Sequence, residues 1–428
     1  MKTNVSRLLA LLLSVLLFPG LVSAQVSRSS AFRGKYKLES VVVLSRHNIR
    51  SPLSTNGSVL SRMTTHQWTD WSAPASELTM RGGAVETMLG QFFGQWLIDE
   101  GLFTRNQVPT KTEVNFYANS MQRTISTARY FSTGFNPIAG INVDYRYTPS
   151  RMDPVFFCCL HKNSPAFQKE ALRQIAEMGG KKGIVGLNEE LKPSYDILAR
   201  VLDLKDSPEG QAGESFSDYN TQFIFELGEE PNMKGSLKKA NSAADALILQ
   251  YYEEPDAKKA AFGHDITLDD WTKIAKIKDV YGDALFAAPI VAANVAHPLL
   301  VYMDDELNAA GRKFTFLCAH DCNIAAITSC LRVKPYELPN AIEKKTPIAS
   351  KLVFEKWKDA AGKAFVAINL VYPSVDQYRT LQLFNAANPP MVVSLKLEGL
   401  TENADGLYTF SDVDGRFMEA INAYEAIK

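Results

Sequence analysis

The stretch Val41-Val42-Val43-Leu44-Ser45-Arg46-His47-Asn48-Ile49-Arg50-Ser51-Pro52 joins an unbroken apolar, β-branched run to a cluster of two arginines and a histidine. Four apolar residues in a row, without polar alternation, are the pattern of a central strand buried on both faces. Such a strand delivers the residues just after it to the carboxyl edge of its sheet, where open α/β sheets hold their ligands. Two guanidiniums beside an imidazole repel each other and any proton on the ring, so the grouping calls for a bound anion. Arginine forks match phosphate oxygens, and their field keeps a histidine nitrogen unprotonated and free to attack phosphorus. Pro52 stops any helical continuation of the loop. From average residue usage, R-H-x-x-R-x-P arises by chance in on the order of one chain per thousand of this length, so the stretch carries weight alone.

Two more strands end in polar clusters. Val114-Asn115-Phe116-Tyr117-Ala118 leads into Asn119-Ser120-Met121-Gln122-Arg123 and a helix through Tyr130. Phe314-Thr315-Phe316-Leu317-Cys318-Ala319 ends in His320-Asp321, followed by a helix over 324–331. Residues distant in sequence can therefore converge at one sheet edge. Displacement at phosphorus needs positive charge on the equatorial oxygens and a proton for the departing alkoxide. Arg123 can supply a third guanidinium and His320 a further donor. Asp321 is the candidate acid: protonated, it donates to the leaving oxygen, and ionised, it takes a proton from the water that hydrolyses a phosphohistidine at His47. An acid that must begin protonated predicts an acidic pH optimum.

Between residues 160 and 300 the pattern turns helical, with apolar periodicity over 166–178, 241–252 and 271–277. Strand-like runs return at 351–354, 365–372 and 392–397. This order predicts an α/β core, residues 25–150 and 295–428, interrupted by a mainly helical cap at 151–294. Gly179-Gly180-Lys181-Lys182-Gly183 lacks the ending and the preceding strand of a phosphate loop and reads as a solvated turn. Lys2 and Arg7 before the apolar run from Leu8, with Val22-Ser23-Ala24 ahead of Gln25, read as a cleaved signal peptide over 1–24. A soluble exported protein, periplasmic in a Gram-negative bacterium, is the expectation. The formal net charge of -1 gives no electrostatic case for nucleic acid or a membrane surface, so an anion must be gripped locally.

No metal or other cofactor is required by this chemistry. His66, His161, His264 and His297 are scattered without ligand spacing and read as surface or packing histidines. The five cysteines lack CxxC spacing. Cys158 and Cys159, being adjacent, would pair with each other only under strain, and disulfides among the five stay open. No G-x-S-x-G elbow is present, which leaves a serine hydrolase without support.

These motifs resemble the histidine acid phosphatases, and within them the periplasmic glucose-1-phosphatases. The resemblance runs through R-H-x-x-R-x-P with Asn56-Gly57-Ser58-Val59-Leu60, through Leu78-Thr79 and Gly82-Gly83, and through Tyr117-Ala118-Asn119-Ser120-Met121-Gln122-Arg123-Thr124. It continues in Leu249-Gln250-Tyr251-Tyr252-Glu253, His320-Asp321-Cys322-Asn323-Ile324-Ala325, Lys334-Pro335-Tyr336 and Thr346-Pro347-Ile348. Most members carry glycine after the histidine; Asn48 is the departure that points to the glucose-1-phosphatase branch. The resemblance implies a phosphoglycerate-mutase-like, three-layer α/β core with an inserted helical cap. It implies His47 as the nucleophile, Arg46, Arg50 and Arg123 as the phosphate clamp, His320 as an additional phosphate ligand and Asp321 as the proton donor. His320-Asp321 sets the chain apart from the inositol polyphosphate phosphatases that carry His-Ala-Glu there. Glu253, in a stretch similar to a pocket-facing helix, is expected to bind sugar hydroxyls, while Trp68 and Trp71 pack the loop behind the motif. The partner is then a small phosphate monoester, glucose 1-phosphate first. A phytase-like enzyme with the same catalytic residues is the alternative, although the acidic pair at Glu253-Glu254 disfavours so many phosphates. A phosphate-binding protein without catalysis would have no use for both nucleophile and acid.

Overall fold

The computed structural model describes residues 28–53, 59–148 and 151–428. The signal peptide expected over 1–24 lies outside them, as do residues 56–58 of the resemblance.

Strand β1 (Tyr36–Arg46) contains the run Val41 to Leu44, and all four of these residues are fully buried. Helix α1 (Met80–Asp99) is capped by Thr79, whose hydroxyl accepts from the Gly82 amide. Strand β2 (Val114–Ala118) then runs into helix α2 (Gln122–Phe135). Glycines let α1 and α2 touch backbone to backbone: a β-carbon on Gly90 would sit 2.2 Å from the Phe131 carbonyl oxygen, and one on Gly134 would sit 2.0 Å from that of Thr87.

The helical pattern expected between residues 160 and 300 corresponds to a mainly helical stretch whose last helix runs on to Asn308. Helix α3 (Pro165–Met178) starts at the Ser164 cap with proline in its first turn. Helices α4 (Lys192–Val201), α5 (Ser236–Glu253) and α6 (Leu268–Phe286) pack together, α6 opening on a capping box of Thr267 and Asp270. A two-stranded ribbon, Gln222–Ile224 with Asn232–Lys234, has no counterpart in the sequence pattern. Helix α7 (Pro289–Asn308) runs unbroken across position 294/295. Gly180–Lys182 forms an exposed single turn. Among the described residues no single helix is long and apolar enough to cross a membrane.

Strand β3 (Phe314–Ala319) leads into helix α8 (Asp321–Cys330), and β4 (Lys351–Asp359), β5 (Ala364–Tyr372), β6 (Met391–Ser394) and β7 (Tyr408–Thr409) precede helix α9 (Phe410–Glu425). They form one mixed sheet in the order β2-β3-β1-β4-β5-β6, with β7 on β5. The strand expected over 392–397 ends three residues early. The Leu397 amide is taken by the Tyr408 hydroxyl at 2.8 Å, and the Lys396 carbonyl accepts from Lys334. Helices α1 and α2 on one side and α7 and α9 on the other make the core three-layered, in agreement with the expected fold class.

The register positions the site. β1 pairs parallel with β3, Arg46 opposite Ala319, and β2 pairs parallel with β3, Ala118 opposite Cys318. The carboxyl ends of all three strands therefore lie level, and each is followed at once by a polar cluster.

Candidate active site

His47 is the first residue beyond β1 and is buried, 4% exposed, at the floor of a cavity of about 310 Å³. Its Nδ1–H donates to the Asn48 carbonyl at 2.8 Å, which assigns the proton to Nδ1 and leaves the Nε2 lone pair free. Burial, and then the charges of Arg123, Arg50 and Arg46 together with the neighbouring His320, hold its pKa well below the ordinary histidine value. The shift favours the neutral ring, the form that can act as a nucleophile.

Asn48 anchors this loop. Its side-chain amide donates to Glu86 at 2.7 Å, its Oδ1 accepts from the Ile49 amide, and its own amide donates to Thr127. Glu86 pairs in turn with Lys351 at 2.9 Å, both side chains fully buried, and Lys351 also donates to Ser45 on β1. A glycine at position 48 would leave the Glu86 oxygen without that donor. The departure from the family's glycine thus belongs to a buried polar framework beneath the nucleophile.

Three guanidiniums surround His47. Arg46 pairs with Glu343 at 2.8 Å and with Asp321 at 2.9 Å, and donates to the Thr346 carbonyl. Arg50 donates to Asp245 on α5 at 3.0 Å, and Lys278 on α6 reaches the same carboxylate at 2.6 Å. Burial pushes the Asp245 carboxyl up, but Arg50 and Lys278 outweigh it and hold it well below the usual carboxylate range. Arg123, the second residue of α2, is pushed down to about 10 by burial and by Arg50. The Nε–H groups of Arg46, Arg50 and Arg123 are all buried without a hydrogen-bond partner. Three orphaned cationic donors around one imidazole are costly unless an anion fills the space.

His320 is the first residue beyond β3 and lies beside His47, with ring centroids 5.4 Å apart. Asn119, just past β2, positions it. The Asn119 Oδ1 accepts from the Ser120 and Asp153 amides, so its Nδ2 must be the group that donates to His320 Nε2, at 2.7 Å. An imidazolium could not accept there, and burial and Arg123 keep the ring neutral. Asp321 opens α8. Burial acts to raise its pKa, but Arg46 and then Lys278 prevail and bring it to about 2, while the side chain remains 46% exposed into the cavity.

The structure thus brings His47, Arg46, Arg50, Arg123, His320 and Asp321 together. It does not bring Glu253 to them. That carboxylate accepts from Ser72 at 3.1 Å and from Thr79 at 2.9 Å, bracing the start of α1 away from the cavity. Its helix neighbour Gln250 is likewise structural, receiving the Thr69 amide and donating to Ala260. Trp68 packs on Phe262 as expected. The outer wall consists instead of Glu230, Lys238, Asp279, Tyr281, Asp283 and Lys345, none of which any motif marks. Burial, with Asp321 nearby, pushes Glu230 up to about 7, and burial pushes Asp279 to about 7 against the Lys344 amide that it accepts. All five cysteines are free thiols. His161 and His297 pack against Tyr424, but His66 and His264 are not unrelated as their spacing suggested: both meet Asp203.

Comparison with known proteins accords with this geometry. The chain is 36% identical to a glucose-1-phosphatase of Providencia rettgeri, over 97% of this chain and 99% of that one. It is 25% identical to phytase AppA of Escherichia coli strain K12, over 87% and 89%. The solved apo structure of a Hafnia alvei phytase superposes with a TM-score of 0.82 at 25% identity, covering 91% of this chain and 98% of that one. The model of the histidine phosphatase superfamily (branch 2) matches residues 37–372, and with the histidine, the guanidiniums and the His-Asp pair at level strand ends, the chain belongs to that family.

Proposed function

We propose that this protein is an acid phosphatase that hydrolyses sugar phosphate monoesters, glucose 1-phosphate first, through a phosphohistidine at His47 Nε2. The observation that carries this reading is the set of three orphaned guanidinium donors around a neutral imidazole with a free Nε2. The phosphoryl group satisfies Arg46, Arg50 and Arg123, with His320 at its flank, and Nε2 attacks phosphorus while the ester oxygen leaves opposite. Asp321 protonates that oxygen. In the free enzyme it is ionised by Arg46; the phosphate engages Arg46 and sets negative charge beside the carboxylate, so its proton affinity rises on binding. Below about pH 6 the ester arrives as a monoanion and brings the proton with it, which gives the acidic optimum. Water then attacks the phosphohistidine, Asp321 takes its proton, and His47 is regenerated with release of phosphate.

The outer wall supports one phosphate rather than many. Glu230, Asp279 and Asp283 offer carboxyls to hydroxyl groups, and Lys278 is already engaged by Asp245 and Glu343. A phytase-like activity is the second reading, favoured by the likeness to phytases. A panel of glucose 1-phosphate, other sugar phosphates and phytate, compared by kcat/KM near pH 5, decides between them: glucose 1-phosphate should exceed phytate by roughly tenfold or more. The reverse order overturns the sugar assignment, and phosphate binding with no turnover overturns catalysis altogether. We place the mature protein in the periplasm, its leader removed after Ala24; the basic residues and small-residue site of the leader support this, and N-terminal sequencing of the exported form tests it.

A further inference from the structure

His66, Asp203 and His264 come from three separate segments: the loop after the helical turn Val59–Met63, the turn after α4, and the turn after Ala257–Ala260. Their ligand atoms all lie within 4.8 Å of one another. His66 Nε2 is 2.7 Å and His264 Nε2 3.1 Å from the same oxygen, Asp203 Oδ2. Around a tetrahedral zinc with bonds of about 2.0–2.1 Å, neighbouring donor atoms stand roughly 3.3 Å apart. To admit an ion, His66 would move from Asp203 by about 0.6 Å and His264 by about 0.2 Å.

The rings are held before any ion arrives. His66 stacks on Phe262 at 4.9 Å with planes 9° apart, and Trp68 meets Phe262 edge-on. The His66 and His264 rings stand perpendicular, at 89°, so their Nε2 atoms reach the carboxylate from two directions. The side chains are 30%, 37% and 26% exposed, which leaves one side open to water. None of the three lines the cavity at His47. Two imidazoles and one carboxylate with an open position form a donor set suited to borderline divalent ions of the first transition row, zinc foremost, and unsuited to magnesium or calcium.

We propose that His66, Asp203 and His264 form a second, structural binding site for a divalent transition metal of the zinc class, with water as the fourth ligand. Without metal each ring donates an Nε2–H to Asp203. On binding, those protons move to Nδ1 or leave to solvent, and the two lone pairs with one carboxylate oxygen take the ion, whose double charge Asp203 half neutralises. The bound ion staples the loop behind the nucleophile stretch to the helical layer.

Calorimetric titration of the whole chelator-treated protein with zinc sulfate at pH 7.5 tests this. One zinc should bind with micromolar or tighter affinity, and at 100-fold excess over Kd the melting temperature should rise by about 3 °C. His66→Gln and His264→Gln should each weaken zinc binding tenfold or more while their zinc-free phosphatase activity is unchanged. Asp203→Asn, which keeps a residue tolerant of the left-handed backbone there (φ 47°), should weaken it as well. No zinc binding by the wild type, or equal affinity in all three variants, overturns the site; the second result would move the ion to the thiols.

Discussion

The two ends of the cavity are built differently. The inner end stands on level strand ends: residues at or shortly after the carboxyl ends of β1, β2 and β3 build it, and the charges of Arg46, Arg50 and Arg123 give it a positive field at His47. The outer end is assembled from the ribbon, α5, α6 and the loop before β4, and it carries carboxyls. Chemistry placed on a sheet edge inherits the precision of the hydrogen-bonded register, whereas the wall that meets the rest of the substrate depends on how several helices happen to pack. The same division separates the phosphoryl group, which every substrate shares, from the remainder that distinguishes one substrate from another.

The largest effect should come from the inner end. His47→Ala should lower kcat by at least about 10⁴-fold on any monoester while phosphate binding persists, because the arginines remain. Activity within tenfold of wild type would break the assignment of the nucleophile. Asp321→Asn should cost about 10²- to 10³-fold on alkyl phosphates and under about tenfold on an aryl phosphate, whose leaving group needs no proton. Equal losses on both would reassign Asp321 to binding.

The outer end should respond in pH dependence rather than in turnover. Glu230 and Asp279, both pushed up to about 7, are neutral at acidic pH and ionise as pH rises through 7. Negative charge then appears in the wall facing an anionic substrate, so kcat/KM should fall by an additional factor of about 3 between pH 6 and 8. Glu230→Gln with Asp279→Asn should flatten that segment of the profile and leave kcat at pH 5 nearly unchanged; an identical slope in the double variant would detach these groups from the substrate. The smallest effect belongs to Glu253→Gln. It should change KM by less than about twofold and cost about 1 kcal/mol of stability through its bonds to Ser72 and Thr79. A tenfold rise in KM would return Glu253 to the pocket.

Legibility in the sequence divides along the same line. The inner end is legible because strand periodicity gives out next to the residues that act, and three such endings in one chain point to a shared edge. The framework beneath is not: Glu86 sits in a helix among glycines and apolar residues, and Lys351 opens an apolar strand, yet nothing local says that they meet under Asn48. Lys351 at the head of a buried run is the available signal, since a charge there requires a partner. Asp245 and Glu343, which hold Arg50 and Arg46, are invisible for the same reason, their partners being 195 and 297 residues away. The sequence puts Glu253 at the pocket because its stretch resembles a pocket-facing helix; a local likeness does not say which element covers that face of the helix, and here Ser72 and Thr79 do. His66 and His264 look scattered in the chain because their common partner, Asp203, lies on a third segment.

The parallel pairing of β1 with β3 also dictates an order of events in folding. Val41 must find Phe314 across roughly 270 residues, a closure whose entropic cost is about 5 kcal/mol on the chain-loop estimate. The strand that carries the nucleophile therefore gains its parallel neighbour only after nearly three quarters of the polypeptide is available. Catalytic competence should be among the last properties acquired during folding, and fragments ending before Phe314 should collapse without forming a phosphate site.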